Sequence, residues 1–415
     1  MRKETTLNSS RWLRVLSFFS GIGMMAASLL TINHYFLANF PESIFEGSFC
    51  DISTFLNCDS SAFSVISQVK GIPIGYFGLI IGGLVALGAL FPSDRFERTN
   101  TFIALVNLLG VLSLFFYAVF GLHSLCLLCS GYYIFSIVSF VLFWRFGIGQ
   151  GMRKFPGRFF QPSIKMLITF ACITLIGAYG MINYHTAKEK VRESVADKIV
   201  KQFYELPVVN DPSFLSPFWT VRSTGYFEDA PIRVIEFSDF LCPDCLFLTQ
   251  QLNKLKEEFA GKINIAFQFF PLEAGCNTVV DKDLHPGACE LAYIAAYDPS
   301  KFVAIHDELF ANFNAARDPE WRLELAVRHG VEDALTDSAT KDMVSTIVQT
   351  GIEYERTSDV YAHGIRSTPT MIINGRMIIG TLPYEHMRAI FQALVDESEG
   401  GKKFLENWVP AKVRH

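Results

Sequence analysis

The sequence predicts an α-helical membrane bundle of five helices followed by an α/β domain with a helical insertion. Five apolar segments occupy the first half of the 415 residues, and strand-like runs alternate with helical patterns in the second half. Half of the residues are hydrophobic and only 19% are charged, below the roughly 25% of soluble proteins. The net charge of −5 provides no basic stripe, which argues against nucleic acid as a partner.

Five segments are apolar and long enough to cross a bilayer, which takes about 20 mainly apolar residues. They cover 13–38, 72–91, 101–122, 126–146 and 164–184. The second segment offers small faces for close helix contact at Gly75, Gly78, Gly82 and Gly83. The first segment follows basic residues, as a signal peptide does, but its apolar stretch is too long and no small-x-small cleavage site follows. A retained membrane helix is therefore expected there.

The charges between these segments predict the orientation of the bundle, because Lys and Arg are enriched in cytoplasmic loops. Basic residues are frequent in the N-terminal tail, the second loop and the fourth loop: Arg2, Lys3, Arg11, Arg14, Arg95, Arg98, Arg145, Arg153, Lys154, Arg158 and Lys165. The first loop, 41–71, is acidic instead. That loop, the start of the fourth segment and everything after the fifth segment are therefore expected outside the cytosol.

The composition changes to that of a soluble α/β domain at about residue 226. The preceding stretch combines a charged helical pattern with a proline-rich run and is expected to be a linker. The predicted organisation is a four-helix bundle at 1–147, a cytoplasmic loop and fifth helix at 148–185, a linker at 186–225 and the α/β domain at 226–415.

Within this domain, the runs 233–237 and 263–269 predict buried strands. Helical patterns fill roughly 287–360, and 384–397 predicts a final helix. Between them, Asn374-Gly375 interrupts an apolar run and is a strong signal for a type I′ hairpin.

Nine cysteines form four close pairs and one single residue, Cys172, in an apolar segment where an inert membrane-facing thiol is expected. The pairs are a loop pair (Cys50 and Cys58), a helix pair (Cys126 and Cys129), a soluble pair (Cys242 and Cys245), and Cys276 with Cys289. The charge bias places all eight paired cysteines on the oxidising side of the membrane. Paired thiols in both parts of the chain indicate thiol–disulfide exchange, with electrons passing from a soluble domain into the membrane.

The soluble pair is a C-x-x-C motif between a predicted strand and a helix that continues to Glu258. Cys242 would lie at the helix N-terminus, where the dipole and free N–H groups stabilise a thiolate. Asp244, between the cysteines, would oppose that thiolate. A zinc half-site would need a second ligand pair at suitable spacing, and a structural bridge is the other alternative. A redox pair is the favoured interpretation.

With these motifs the second half of the chain resembles the thioredoxin superfamily, and within it the DsbA-like disulfide oxidases. Besides the C-P-x-C motif, Ser367-Thr368-Pro369-Thr370 matches the cis-proline loop, which would pack against the disulfide and offer the Thr368 backbone to a substrate. Glu236 matches the buried acid of the family, a proton acceptor for the second cysteine, with a surface strand residue as the alternative. The resemblance covers 226–398, and its long helical insertion favours the DsbA-like branch.

Cys276 and Cys289 lie in that insertion, where they flank Asp281, Asp283 and His285. A metal site that uses a cysteine and the histidine is one interpretation. A structural disulfide that pins the insertion is favoured.

The loop pair lies in a flexible polar loop, and the helix pair lies one turn apart at the outer end of the fourth segment. A loop pair can swing between a soluble partner and a fixed site in the bundle. Two static bridges are the alternative, but a bridge between adjacent turns of one helix stabilises almost nothing.

This arrangement resembles the vitamin K epoxide reductase family, whose four-helix core carries a loop cysteine pair and a helix C-x-x-C. The resemblance covers 13–146, and further matching features are Ser64, Gly71-Ile-Pro73 and Tyr133. It implies that Ser64 helps to hold a loop–helix mixed disulfide. It also implies that Tyr133 and the helix pair border a quinone such as ubiquinone or menaquinone, to which Cys129 passes the electrons. Lipid- or core-facing positions are the alternative for Ser64 and Tyr133.

Together, the two resemblances imply an oxidative relay in the cytoplasmic membrane. The soluble pair would oxidise thiols of unfolded secreted proteins outside the cytosol, and the loop pair would carry the electrons onward, with Cys58 meeting Cys126. A membrane quinone would accept them, since no flavin, haem or nucleotide motif is present. Two alternatives stay open: a quinone or quinone-epoxide reductase driven by its own thioredoxin-like domain, and a non-enzymatic redox sensor or chaperone.

Overall fold

A computed structural model describes residues 10–44, 58–122, 124–147, 161–358 and 361–400, without the side chains of 192–194. The chain divides into two compact units. The first comprises residues 1–39 and 55–190, and the second comprises residues 40–54 and 191–415.

The first unit is a bundle of apolar helices with a short hairpin. Its elements are α1 (Arg11–Asn39), α2 (Asp59–Ala62), β1 (Gln68–Val69), β2 (Ile72–Pro73), α3 (Gly75–Leu90), α4 (Asp94–Phe116), α5 (Leu127–Phe146) and α6 (Ile164–Glu205). A π-helical turn, Tyr117–Gly121, continues α4. The last part of α6, from residue 191, belongs to the second unit.

Four helices in the described part of the chain are long and apolar enough to cross a membrane: Arg11–Asn39, Asp94–Gly121, Leu127–Phe146 and Ile164–Val191. These correspond to four of the five segments expected from the sequence. The remaining segment forms α3, which has only 16 residues and spans about 24 Å at 1.5 Å per residue. It is shorter than predicted because Ile72 and Pro73 belong to the β1–β2 hairpin.

Helices α1 and α3 pack backbone to backbone through glycines. A Cβ atom on Gly21 would lie 2.6 Å from the backbone nitrogen of Ala86, and one on Gly82 would lie 2.8 Å from the carbonyl oxygen of Gly21. No larger side chain fits at these distances, so small residues permit the contact. Gly83, which is expected on the same small face, is less crowded, since a Cβ atom there would have only the Met25 sulfur nearby, at 3.9 Å.

The second unit is built on a five-stranded sheet. Its strands are β3 (Trp219–Arg222), β4 (Ile232–Ser238), β5 (Ile263–Phe269), β6 (Thr370–Ile373) and β7 (Arg376–Ile379). The order across the sheet is β3-β5-β4-β6-β7. Only β4 and β5 pair in parallel, and the other pairs are antiparallel.

Helices cover both faces of this sheet. They are α7 (Pro243–Glu258), α8 (Ala288–Ala296), α9 (Phe302–Ala311), α10 (Pro319–His329), α11 (Ser338–Ile352) and α12 (Tyr384–Ser398). The end of α6 packs with α7 and α12 around Val234 on one face. Helices α8 to α11 pack around Phe237 on the other face. Because both faces are covered, the central strands are apolar almost throughout, as the sequence predicts.

The prediction of a linker at 186–225 is wrong for most of that range. Ile199 and Phe203, on the last turns of α6, are fully buried in the core of the second unit. Strand β3 forms the edge of the sheet beside β5. The folded unit therefore begins near residue 191, because the charged, amphipathic pattern of α6 supplies an apolar face to the sheet.

The hairpin prediction is confirmed. Strands β6 and β7 are joined by Asn374 and Gly375, whose φ angles are 46° and 77°. Two consecutive residues with positive φ are what a type I′ turn requires.

Candidate functional site

The soluble pair lies at the junction of β4 and α7. Cys242 is the N-cap of α7, and Pro243 occupies the first helical turn. The Cys242 thiol donates to the Thr368 carbonyl oxygen at 3.3 Å, and the Thr368–Pro369 peptide is cis. Both cysteines are free thiols and buried. The fold thus packs the C-x-x-C turn against the loop before β6, as the sequence motifs predict.

The acidity of Cys242 differs from the expectation. Burial raises its pKa well above the ordinary value of 9, and the neighbouring Cys245 and the negative charge of Asp239 act in the same direction. The helix start is where the sequence predicts it, but its favourable dipole is outweighed because the reduced thiol is shielded from water. The carboxylate that opposes ionisation is Asp239, whereas the sequence pointed to Asp244.

Asp239 is a component of the site that sequence motifs did not predict. One of its oxygens accepts from the Leu241 amide at 2.7 Å. The other accepts from the Leu272 amide at 2.7 Å and contacts Nδ1 of His285 at 2.8 Å. The only sequence signal for it is an acid in the turn between a buried strand and the first cysteine.

Glu236 lies on the central strand, six residues before Cys242. It is 1% exposed, which rules out the surface position considered as the alternative. Burial raises its pKa to about 7, and a hydrogen bond with Ser238 acts in the opposite direction. A carboxyl group with a pKa near neutrality can both accept and return a proton.

Cys276 and Cys289 form a disulfide with a Cα–Cα distance of 5.9 Å. Because both sulfurs take part in this bond, neither is available as a thiolate ligand for a metal ion in this state. His285, the histidine considered for such a metal site, contacts Asp239 instead.

In the first unit, the structure brings one loop cysteine against the helix pair. The Sγ atoms of Cys58 and Cys126 are 3.2 Å apart. Cys58 is disulfide-bonded, whereas Cys126 and Cys129 are free. Cys50 lies outside the described residues. A free thiol at this distance from a disulfide sulfur is close enough for exchange without rearrangement of the helix.

Two contacts hold Cys58 and the short helix α2 against the end of α1. Nε2 of His34 lies 2.8 Å from a carboxylate oxygen of Asp59, and both side chains are largely buried. The side-chain amide of Asn39 donates to the Ala62 carbonyl oxygen at 3.2 Å. Neither contact was predicted from the sequence.

A cavity of about 460 Å³ lies inside the bundle. Its wall is mostly apolar and includes three residues that the sequence motifs indicated, namely Ser64, Cys129 and Tyr133. Asn107 and Tyr132 also border it, and the Tyr132 hydroxyl donates to the side-chain amide oxygen (Oδ1) of Asn107 at 2.7 Å. Neither of these two was predicted, because their pairing depends on how α4 packs on α5.

Cys172, the single cysteine, is exposed on α6. It does not line the cavity that Cys129 borders. An exposed thiol on an apolar helix agrees with the inert, membrane-facing position that the sequence predicts.

Comparison with known proteins agrees with this division. Residues 14–144 match the model of the vitamin K epoxide reductase family, and residues 227–393 match a thioredoxin model. Disulfide bond formation protein D of Bacillus subtilis is 26% identical over 174 residues, which are 39% of this chain and 71% of that protein. A probable disulfide bond formation protein D of Bacillus cereus is 27% identical over 197 residues, covering 44% of this chain and 86% of that protein.

Among solved structures, a periplasmic thioredoxin-like protein from Salmonella enterica serovar Typhimurium aligns with a TM-score of 0.31 and 18% identity, over 40% of this chain and 85% of its own. The thiol-disulfide exchange protein alpha-DsbA2 from Wolbachia pipientis aligns with a TM-score of 0.30 and 16% identity, over 49% of this chain and 98% of its own. The two family matches cover separate parts of the sequence. The loop and helix pairs lie in the first match, and the soluble pair lies in the second. The chain is an oxidoreductase that joins a vitamin K epoxide reductase family domain to a thioredoxin-like domain.

Proposed function

We propose that this chain forms disulfide bonds in secreted proteins and passes the electrons to a membrane quinone. The observation that carries the proposal is the 3.2 Å separation between Cys126, a free thiol, and Cys58, a disulfide-bonded cysteine. The names of the Bacillus relatives, which refer to disulfide bond formation, agree with it.

The first step takes place at the soluble pair. A client thiolate attacks the Cys242 sulfur of the oxidised pair, and Cys245 leaves as a thiolate. A second client thiol then displaces Cys242, so that the client gains a disulfide and the soluble pair gains two electrons and two protons. Glu236, with a pKa of about 7, is the proton carrier for Cys245. The Thr368 carbonyl, which contacts Cys242, marks where the client backbone docks.

The next step returns the soluble pair to its oxidised form by exchange with the loop pair, Cys50 and Cys58. The reduced loop pair then attacks an oxidised helix pair: the Cys58 thiolate bonds to Cys126 and Cys129 leaves. Cys50 resolves this mixed disulfide, and both helix cysteines are left as thiols. The observed arrangement, with Cys58 oxidised and Cys126 and Cys129 reduced, corresponds to the end of this step. Ser64, whose hydroxyl donates to the Ser61 carbonyl at 2.8 Å, supports the turn that follows Cys58.

The bundle cavity has the properties of a quinone site. Its volume of about 460 Å³ lies in the usual range of small-molecule pockets, which are mostly apolar with a few polar groups. Cys129 and Tyr133 border it together with the hydrogen-bonded Tyr132 and Asn107. These polar groups would orient the quinone ring, and the apolar wall would hold its chain and exclude water. A bound quinone, ubiquinone or menaquinone, supplies the acceptor for the two electrons of the helix pair.

The apolar helices indicate insertion into a membrane. We assign this membrane as the cytoplasmic membrane and place the thioredoxin-like domain outside the cytosol. This assignment is supported by the basic residues of the N-terminal tail and of the second and fourth loops, which favour a cytosolic position. Unfolded secreted proteins with free thiols are then the available clients.

The test is oxidation of a reduced dithiol peptide by the full chain in lipid nanodiscs, with and without added quinone. Many peptides should be oxidised per protein with quinone, and only the few equivalents stored in the protein without it. Cys126→Ser should abolish the quinone-dependent turnover, whereas the matched control Cys172→Ser, at an exposed single cysteine, should retain it. Turnover that needs no quinone, or that survives Cys126→Ser, would contradict the proposal.

A further inference from the structure

The turn between β4 and the soluble pair contains a buried carboxylate, and both of its oxygens have polar partners. Asp239 is 2% exposed, and its two oxygens are bound by the amides of Leu241 and Leu272 and by the imidazole of His285. Buried carboxylates are retained only where such partners are in place. The imidazole is the one of these three partners that can carry a positive charge.

His285 reaches Asp239 from the loop that the Cys276–Cys289 disulfide closes. The backbone amides of Leu284 and His285 both donate to the Leu272 carbonyl, at 3.0 and 3.1 Å. The Leu272 amide in turn donates to Asp239. The His285 imidazole is therefore held in place both by hydrogen bonds of its backbone and by Asp239. The His285 side chain is 6% exposed.

The backbone of Asp239 contacts both cysteines of the soluble pair. The Cys242 amide donates to the Asp239 carbonyl at 3.1 Å. The Asp239 amide lies 3.5 Å from the Cys245 sulfur, which accepts from it. A displacement of Asp239 would therefore change the environment of both sulfurs.

We propose that Asp239 and His285 form a positioning pair that controls how readily Cys242 reacts as a thiolate. The inference deepens the proposed function, since it concerns the reactivity of the site where clients would be oxidised. A carboxylate near a thiol opposes thiolate formation, and a hydrogen-bonded imidazole offsets part of its negative charge. Among the described residues, Cys245 also raises the pKa of Cys242, and Asp244 lies between the two cysteines on the first turn of α7. In agreement, the charge of Asp239 raises the pKa of Cys242, although less than burial does.

The test is the pH dependence of Cys242 alkylation by iodoacetamide in the reduced full chain, located by peptide fragmentation in a mass spectrometer. Asp239→Asn should lower the pKa of Cys242, with about a tenfold rise in alkylation rate at neutral pH for each unit. His285→Leu should move the profile in the opposite direction. When His285→Leu is added to Asp239→Asn, it should have no further effect, because the Asp239 charge that the imidazole offsets is already gone. The matched control is His329→Leu, which removes a different histidine–carboxylate pair, with Glu308 at 2.7 Å, and should leave the profile unchanged.

This readout requires neither quinone nor turnover, so it separates failure of the inference from failure of the proposed function. Equal effects of His285→Leu with and without Asp239, or profiles unchanged in both single variants, would overturn the inference. If His285→Leu does not fold, His285→Gln keeps a hydrogen-bond donor of similar length without the ability to become cationic. A smaller shift in the same direction is expected from it. An unchanged profile in both His285→Gln and Asp239→Asn would also overturn the inference.

Discussion

At the scale of residues, motif spacing predicted which side chains meet but not how acidic they are. Cys242, Thr368 and Pro369 come together across more than 120 positions of the sequence, as the thioredoxin resemblance implies. The acidity of Cys242 depends on burial and on Asp239. Both depend on packing by distant segments, so a local motif does not reveal them.

Glu236 allows a pH prediction. Its pKa is raised from 4.5 to about 7 by burial, so the folded state disfavours the ionised form. The stability of the second unit should therefore decrease as the pH rises from about 4.5 through 7, by roughly 3 kcal/mol for this group. Glu236→Gln should remove this decrease and also slow exchange at Cys245, because a proton carrier is lost. Denaturant unfolding of the full chain between pH 5 and pH 8 measures the first effect, and the same slope in the Gln variant would contradict it.

At the scale of elements, regular patterns were predicted well and contacts between remote segments were not. The strand at 263–269, the helix ending at Glu258 and the Asn374-Gly375 turn match the structure. The linker prediction failed because prolines and charges at 186–225 obscured the apolar face at the end of α6 and strand β3. Short helix α2 was not predicted either, since its four residues depend on contacts with α1.

The contact between α1 and α2 should govern exchange in the bundle. His34→Ala removes the imidazole that lies 2.8 Å from the Asp59 carboxylate, and leaving a largely buried polar group without its partner costs about 1–3 kcal/mol. We expect Cys58 to be held less firmly against Cys126 and their exchange to slow by roughly tenfold. The rate of disulfide reduction in the bundle, followed by alkylation of quenched samples, measures this. Ser113→Ala, which removes a hydroxyl contact within α4, is the matched control, and equal rates in all three proteins would refute the role of His34.

At the scale of the whole molecule, the division into a membrane part and a thioredoxin-like part was predicted from composition and cysteine placement. The family matches to residues 14–144 and 227–393 agree with it. The fold division differs in two respects, because the second unit begins near residue 191 and because residues 40–44 group with it. Sequence periodicity does not reveal such an exchange of a segment between units, since it reports on local structure only.

The orientation makes a prediction that does not depend on chemistry. An alkaline phosphatase reporter, active only in an oxidising compartment, should be active when fused after His415. The same reporter fused within the fourth loop, for example after Gly157, should be inactive, because that loop carries the basic residues. Activity in the reverse pattern would place the soluble pair in the cytosol and remove its access to secreted clients.

The most direct test of the relay is capture of its central intermediate by the double variant Cys50→Ser/Cys129→Ser. It removes both the cysteine that resolves the mixed disulfide and the partner of Cys126, so the Cys58 and Cys126 thiols, 3.2 Å apart, can pair only with each other. Under mild oxidation in the membrane, the relay predicts a stable Cys58–Cys126 disulfide, identified as a cross-linked peptide by mass spectrometry, and loss of quinone-dependent turnover. A double-variant protein that forms no such link and still oxidises clients with quinone would contradict the relay.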